Sequence, residues 1–241
     1  MMYSMYSKYY DALNTGYGKW LFPLLWNEIY DKRGGRLLEL GCGTGNVLSE
    51  FKNNFYIVGV DISPCMLEKA QAKLPDAELH LCDMTCYKSD EKFDVILCVF
   101  DSMNHVLDME KWDDLLKNAR DNMNKGGIFI IDINTKARLD SIASRPPLFT
   151  EFDGNYFYMQ VRHKNEKNFV FDVRVLKKMA NGTFQEEREE IEETSIQGQE
   201  MLEKAKKYFN NVKVINEKSE KITESTYEEN EKCRWFFVCT T

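Results

Sequence analysis

The sequence predicts an α/β protein: a mostly parallel sheet flanked by helices, with a small antiparallel β insert after the fifth strand. Three observations lead there. Between Leu37 and Asn134, five apolar, β-rich runs alternate with helical stretches, the order that parallel βαβ units need. At Arg145-Pro146-Pro147 the composition shifts to short alternating runs, the pattern of antiparallel strands with one wet face. A returning helix over Glu200–Phe209 and two final strands, Val212–Ile215 and Trp235–Cys239, close the chain.

In order, residues 3–30 are dense in aromatics, among them Tyr3, Tyr6, Tyr10, Tyr17, Trp20 and Trp26. They fit an amphipathic helix packing on the core, since tyrosine joins an apolar ring to a polar tip. The first strand, Leu37–Leu40, runs into Gly41, Gly43 and Gly45. The second, Tyr56–Val60, ends at Asp61, 20 residues beyond Gly41. Glycines let backbone turn tightly or lie against a ligand. An acid at the next strand tip is placed to accept hydrogen bonds from ribose hydroxyls. Together they predict a nucleoside site. Asn46 stands where G-x-G-x-x-G needs its third glycine, which disfavours an NAD-dependent oxidoreductase, and the Gly-Lys-Ser/Thr ending of a P-loop is absent.

Ser63-Pro64 reads as a helix start, a capping hydroxyl with proline at the first helical position, and Met66, Leu67, Ala70 and Leu74 follow at helical spacing. The third strand, Glu78–Cys82, ends at Asp83-Met84, where Asp83 is either a ligand acid or a turn cap. Phe93–Val99 is the continuous apolar run of a strand buried on both faces, and Phe100-Asp101-Ser102-Met103-Asn104-His105 follows it. Lys111–Asn124 reads as a helix stopped by Lys125-Gly126-Gly127. Ile128–Asn134 then sets Asp132 and Asn134 at the sheet edge where α/β proteins bind ligands. Asn181-Gly182 is a two-residue hairpin signal within an insert of three or four strands over 148–198.

The 241 residues, 43% of them hydrophobic, suffice for a buried core. A net charge of −7, with acids gathered at Glu186–Glu193 and no Lys/Arg stripe, argues against nucleic acid and anionic membrane as partners. Seven cysteines, an odd count without C-x-x-C spacing, suggest reduced thiols and a cytoplasmic protein. Cys82 and Cys86 read as a thiol pair or as incidental. The start, MMYSMYSKYY, has no apolar signal-peptide region, and no run approaches a membrane span.

Glu39-Leu40-Gly41-Cys42-Gly43-Thr44-Gly45 closely resembles the E-x-G-x-G-x-G motif of class I S-adenosylmethionine (SAM) dependent methyltransferases. Tyr9-Tyr10-Asp11-Ala12-Leu13 with Tyr17-x-x-Trp20, and Asp61-Ile62-Ser63-Pro64-x-Met66-Leu67, look like further family segments. The N/D-P-P-Y/F motif common in nucleic-acid and glutamine N-methyltransferases is missing. Phe100–Val106 instead resembles a branch acting on glycine-type amines and amino sugars. Specific motifs lie only between Glu39 and Asn134.

The resemblance implies a Rossmann-like sheet of seven strands. It divides the chain into a SAM-binding core over 1–147 and 199–241, with 1–30 as a helical lid, and 148–198 as a substrate lid. It implies SAM as cofactor, held by Glu39, Gly41, Cys42, Gly43, Gly45, Asp61, Ile62, Met66, Asp83, Met84 and Phe100 under Tyr10, Tyr17 and Trp20; Met66 equally reads as plain core. Asn104, Asp132, Asn134 and His163 are expected at the acceptor, with His105 and Asp101 as candidate bases, although a histidine at a helix start also serves by bonding backbone. Related enzymes often carry a histidine in the last lid strand. Here an acid, Glu190 or Glu192, replaces it, in a run that also reads as a solvated face. No His/Asp/Glu cluster has metal-ligand spacing, so no metal is expected. The expected reaction is in-line methyl transfer to an amine of a small molecule by a monomer or homodimer. O-methylation and a SAM-binding protein without catalysis are the alternatives.

Overall fold

The computed structural model describes residues 3–241, so Met1 and Met2 of the expected N-terminal lid lie outside the described residues. After a 3-10 turn, α1 (Tyr10–Leu13) and α2 (Tyr17–Ile29) lead into the sheet. It is built from β1 (Arg36–Leu40), β2 (Tyr56–Asp61), β3 (Glu78–Leu81), β4 (Phe93–Cys98) and β5 (Met123–Asn134), with α3 (Leu48–Phe51), α4 (Pro64–Lys73) and α5 (Glu110–Asn122) between them. After α6 (Lys136–Ala143) come β6 (Leu148–Phe152), β7 (Asn155–His163), β8 (Asn168–Lys178) and β9 (Phe184–Thr194). The chain ends with α7 (Gly198–Lys206), β10 (Asn211–Asn216), α8 (Tyr227–Asn230) and β11 (Arg234–Thr240).

The seven-stranded sheet has the order β10-β11-β5-β4-β1-β2-β3, parallel except for β11, which runs antiparallel to both β5 and β10. From β1 the chain steps outward through β2 and β3, then crosses back to β4 on the other side. The ends of β1 and β4 therefore flank the crevice where doubly wound sheets bind ligands. Both faces of the sheet are covered. Leu38, Leu40, Ile96 and Cys98 pack with Trp112, Leu115 and Leu116 of α5, while Leu37, Val95 and Leu97 pack with Leu21, Leu25 and Ile29 of α2. Among the described residues no helix is long and apolar enough to cross a membrane.

The insert is a four-stranded antiparallel sheet, β6-β7-β8-β9. The expected two-residue hairpin carries one residue more. Met179 N–H donates to Thr183 O, and Gly182 takes φ +84°, a three-residue loop with a left-handed last position. Two other local expectations are corrected. Helix α4 starts at Pro64, but the Ser63 hydroxyl caps nothing and is buried without a partner. Helix α5 stops at Asn122, and Gly126-Gly127 lie inside β5, where Gly126 at φ +75° accommodates an irregular register with β4.

Candidate active site

The glycine turn is fixed from below by β2. Gly41 and Cys42 N–H both donate to Val60 O, at 2.8 and 2.9 Å, and Gly43 N–H donates to Asp61 Oδ2 at 2.8 Å. Ser63 N–H holds the other oxygen, Oδ1, at 2.8 Å. Burial raises the Asp61 carboxyl above its usual range, against these amide bonds that lower it. Gly41, at φ +76°, has no room for a side chain, since a Cβ would stand 2.7 Å from Ser102. A Cβ on Gly43, at φ +53°, would meet nothing, because that position faces open space.

That space is a cavity of about 380 Å³ at the switch point. Among the expected cofactor residues, Glu39, Gly41, Cys42, Gly43, Asp61, Ile62, Met66, Asp83, Met84, Phe100, Tyr10 and Tyr17 line it, as does His105. Glu39 is 2% exposed and its Oε2 has no hydrogen-bond partner. Burial, then the charge of Asp61, pushes its carboxyl well above the usual range. Asp83 also serves as a turn cap, its Oδ1 accepting from Thr85 N–H and Oγ1 at 2.9 and 2.8 Å.

Two expected cofactor residues stand back from the cavity. Gly45 faces α4, where a Cβ would be 2.9 Å from Leu74, so its glycine serves packing. Trp20 is 44% exposed and leans on Tyr17, with ring centroids 5.1 Å apart.

The N-terminal segment forms the roof and is fastened at both ends. Thr44 Oγ1 donates to Asp11 Oδ1 at 2.6 Å, and Lys73 bridges Asp11 and Asn46. Burial works against the Asp11 carboxylate, but Thr44 and Lys73 prevail and lower its pKa. On the lid side, Glu189 accepts the N–H groups of Ser4, Met5 and Tyr6 at 3.0, 3.2 and 2.8 Å. Met5 is buried with Phe157, Val173, Val175 and Ile191.

Beyond the roof the acceptor end is held by β5, β9 and β11. Phe100 and Asp101 both adopt left-handed backbone, at φ +64° and +55°, costly for such residues. The Asp132 carboxylate holds this turn, accepting Phe100 N–H at 2.9 Å and Asp101 N–H at 2.6 Å. Arg234 Nη1 donates to Asp101 Oδ1 at 2.5 Å and Asp132 Oδ1 at 3.1 Å. Burial opposes ionisation of both acids. The guanidinium prevails at Asp101 and lowers it, whereas Asp132 stays raised.

Asp101 is thus an ion-paired anchor, contrary to its expected role as a base. Asn104, Asp132 and Asn134, expected at the acceptor, are also buried outside the cavity lining. Asn104 joins Asn134 O and Thr194 O at 2.9 and 2.8 Å, tying η-turn 102–105 to the lid. His163, on β7, is half exposed, 3.5 Å from Asp140 and stacked on Phe169, so it is not an acceptor residue.

His105 Nδ1 lies 3.1 Å from Glu192 O. A carbonyl only accepts, so Nδ1 carries a proton, and Nε2 pairs with the Tyr3 hydroxyl at 2.9 Å. The acid expected in the last lid strand has the other parity. Ile191 points inward, and with period two so do Glu189 and Glu193. Glu190 instead pairs with Arg162 and Arg188 outside, and Glu192 with Lys164. Glu193 is 2% exposed, and its carboxylate, Asp101 and His105 bring ligating atoms within 4.8 Å of one another. Sequence spacing hides this grouping. A metal there would face the Arg234 guanidinium and displace Tyr3 from His105, so the donor set does not fit one.

Residues 37–127 match the methyltransferase domain family. A dTDP-3-amino-3,4,6-trideoxy-alpha-D-glucopyranose N,N-dimethyltransferase of Streptomyces venezuelae is 30% identical over 97 residues, 40% of this chain and 41% of its own length. The crystal structure of a SAM-dependent methyltransferase from Clostridium acetobutylicum ATCC 824 superposes with TM-score 0.79 at 21% identity, covering 100% of this chain and 99% of that one. CalS10, an amino pentose methyltransferase from Micromonospora echinaspora, solved with SAM bound, gives TM-score 0.75 at 20% identity over 96% of each chain.

Proposed function

We propose that this chain, a methyltransferase by its domain and fold, binds SAM in the roofed cavity and methylates an amine nitrogen of a small molecule. The carrying observation is the cavity itself: an orphaned buried carboxylate, Glu39, and the loop-bound Asp61 at one end, His105 Nε2 at the other, and three tyrosines above. The residues suit SAM. Asp61 keeps acceptor capacity for a ribose diol, Glu39 answers a cationic amino acid group, and Ile62, Met66 and Met84 offer apolar contact to a base. When bound, SAM supplies a methyl group on a sulfonium, already activated for in-line displacement. The chain's own work is to orient the acceptor, exclude water and take a proton.

A small acceptor is supported by the roof, where Tyr3, Tyr10 and Tyr17 line the cavity. An amine is favoured because the acceptor end places a ring nitrogen, His105 Nε2, where it can take a proton once the Tyr3 hydroxyl moves aside. The Streptomyces venezuelae relative named above is an amino sugar N,N-dimethyltransferase. Calorimetric titration tests the cofactor half: the wild type binds SAM, and Asp61→Ala binds at least about tenfold more weakly, the scale of one charged hydrogen bond. Equal affinity for the two proteins would remove Asp61 from the site.

A further inference from the structure

The acceptor end holds more acids than cations. The partly buried Asp101 and the buried Asp132 and Glu193 bring three carboxyl groups together, and Arg234 pairs with only the first two. Glu193 receives a neutral amide instead, Asn134 Nδ2, at 3.0 Å. Burial, then the charge of Asp101, raises its carboxyl well above the usual range. Glu193 lies behind the cavity lining and beside His105, which does line it and whose Nε2 is covered by the Tyr3 hydroxyl. Burial and the charges of Asp101 and Glu193 raise the Tyr3 phenol, which places its hydroxyl in the field of both acids. Tyr3 itself sits in left-handed backbone, φ +62°.

We propose that Glu193, with Asp101 and His105, forms the seat for a primary ammonium group of the acceptor, which enters where the Tyr3 hydroxyl now lies. This rests on the methyl-transfer reading above and names its substrate class: cationic amines, amino sugars among them. An ammonium has three N–H donors, and the seat offers three acceptors, two carboxylates and the Nε2 lone pair. Proton removal follows the same geometry. One ammonium N–H bond breaks as a new N–H bond forms at His105 Nε2, and the electron pair stays on the acceptor nitrogen as the nucleophile. The positive charge passes to the imidazolium, which faces Asp101 and Glu193. An uncharged hydroxyl acceptor would bring no cation to Glu193 and gains nothing from it.

The chain has three histidines, so the His105 ring resonances can be followed by NMR. D-Glucosamine is the probe and D-glucose the neutral control, each titrated into the protein with S-adenosylhomocysteine present. The expected result is a saturable shift of His105 with glucosamine alone, weakened at least tenfold in Glu193→Gln. Tyr3→Phe, which removes only the competing hydroxyl, should bind glucosamine two- to fivefold more tightly and serves if Glu193→Gln does not fold. Equal responses to both sugars, an unchanged response in either variant, or no response to glucosamine would overturn the proposal. Failure of the wild type to bind S-adenosylhomocysteine, read separately by calorimetry, would instead overturn the cofactor reading.

Discussion

The two ends of the cavity are built differently. At the cofactor end, the glycine turn and Asp61 lie within 21 residues, joined by backbone bonds across adjacent strands β1 and β2. The acceptor end gathers Tyr3, Asp101, His105, Asp132, Glu193 and Arg234 from five separate stretches of chain. The first end is set by local backbone geometry, which tolerates changes elsewhere. The second is a buried charge network whose members depend on one another.

That difference predicts unequal responses to substitution. Arg234→Met should be the most damaging, because it leaves Asp101 and Asp132 buried without their cation. A loss of about 3–5 kcal/mol is expected by chemical denaturation, the scale for breaking a buried pair by removing one partner. A loss below about 1 kcal/mol would mean that the acceptor end is not the mutually dependent network described. Asp61→Ala, by contrast, should weaken SAM about tenfold or more, near 1.4 kcal/mol of binding, while leaving the unfolding midpoint of the apo protein comparatively little changed.

The insert offers a finer test. Asp172 lies between Arg174 and Arg188, whose hydrogen bonds lower its carboxyl to about 2. A carboxylate depressed on folding contributes stability above its unfolded value, about 3.9, and loses it as pH falls through the folded one. Thermal melts of wild type and Asp172→Asn should therefore differ at pH 7 and converge as pH falls from about 4 to 2. A difference that persists at pH 2 would locate the effect in packing. Smallest of all, Glu190→Gln, on the outer face of β9, should change stability by no more than about 0.5 kcal/mol and leave the glucosamine titration unchanged. An effect matching that of Glu193→Gln would undo the division of β9 into an inner and an outer face.

Legibility in the sequence follows the same line. The glycines, Asp61, Asp83 and the alternating βα pattern are local signals, so the fold is readable from the sequence, as are most of the residues that line the cavity. Arg234 stands in no motif, and only the antiparallel pairing of β11 with β5 brings it to Asp132. Glu193 carried a usable signal: Ile191 sets the inward parity of β9, and counting two onward reaches it. The resemblance puts an acid, Glu190 or Glu192, in place of a family histidine, but both residues fit the other reading of that run, a solvated face, because a shift of one residue in a strand moves a side chain to the other face. His163 is a candidate by residue type, yet the position of β7 beside α6 turns it toward Asp140. Tyr3 gave no sign beyond belonging to an aromatic segment, since its bond to His105 spans 102 residues.

The most direct test of the account is transfer of an isotopically labelled methyl group from SAM into a size-fractionated cell extract. The account predicts label in the small-molecule fraction, on a nitrogen, carried by a compound that is cationic at neutral pH. Label confined to protein or RNA, or carried only on oxygen, would contradict it.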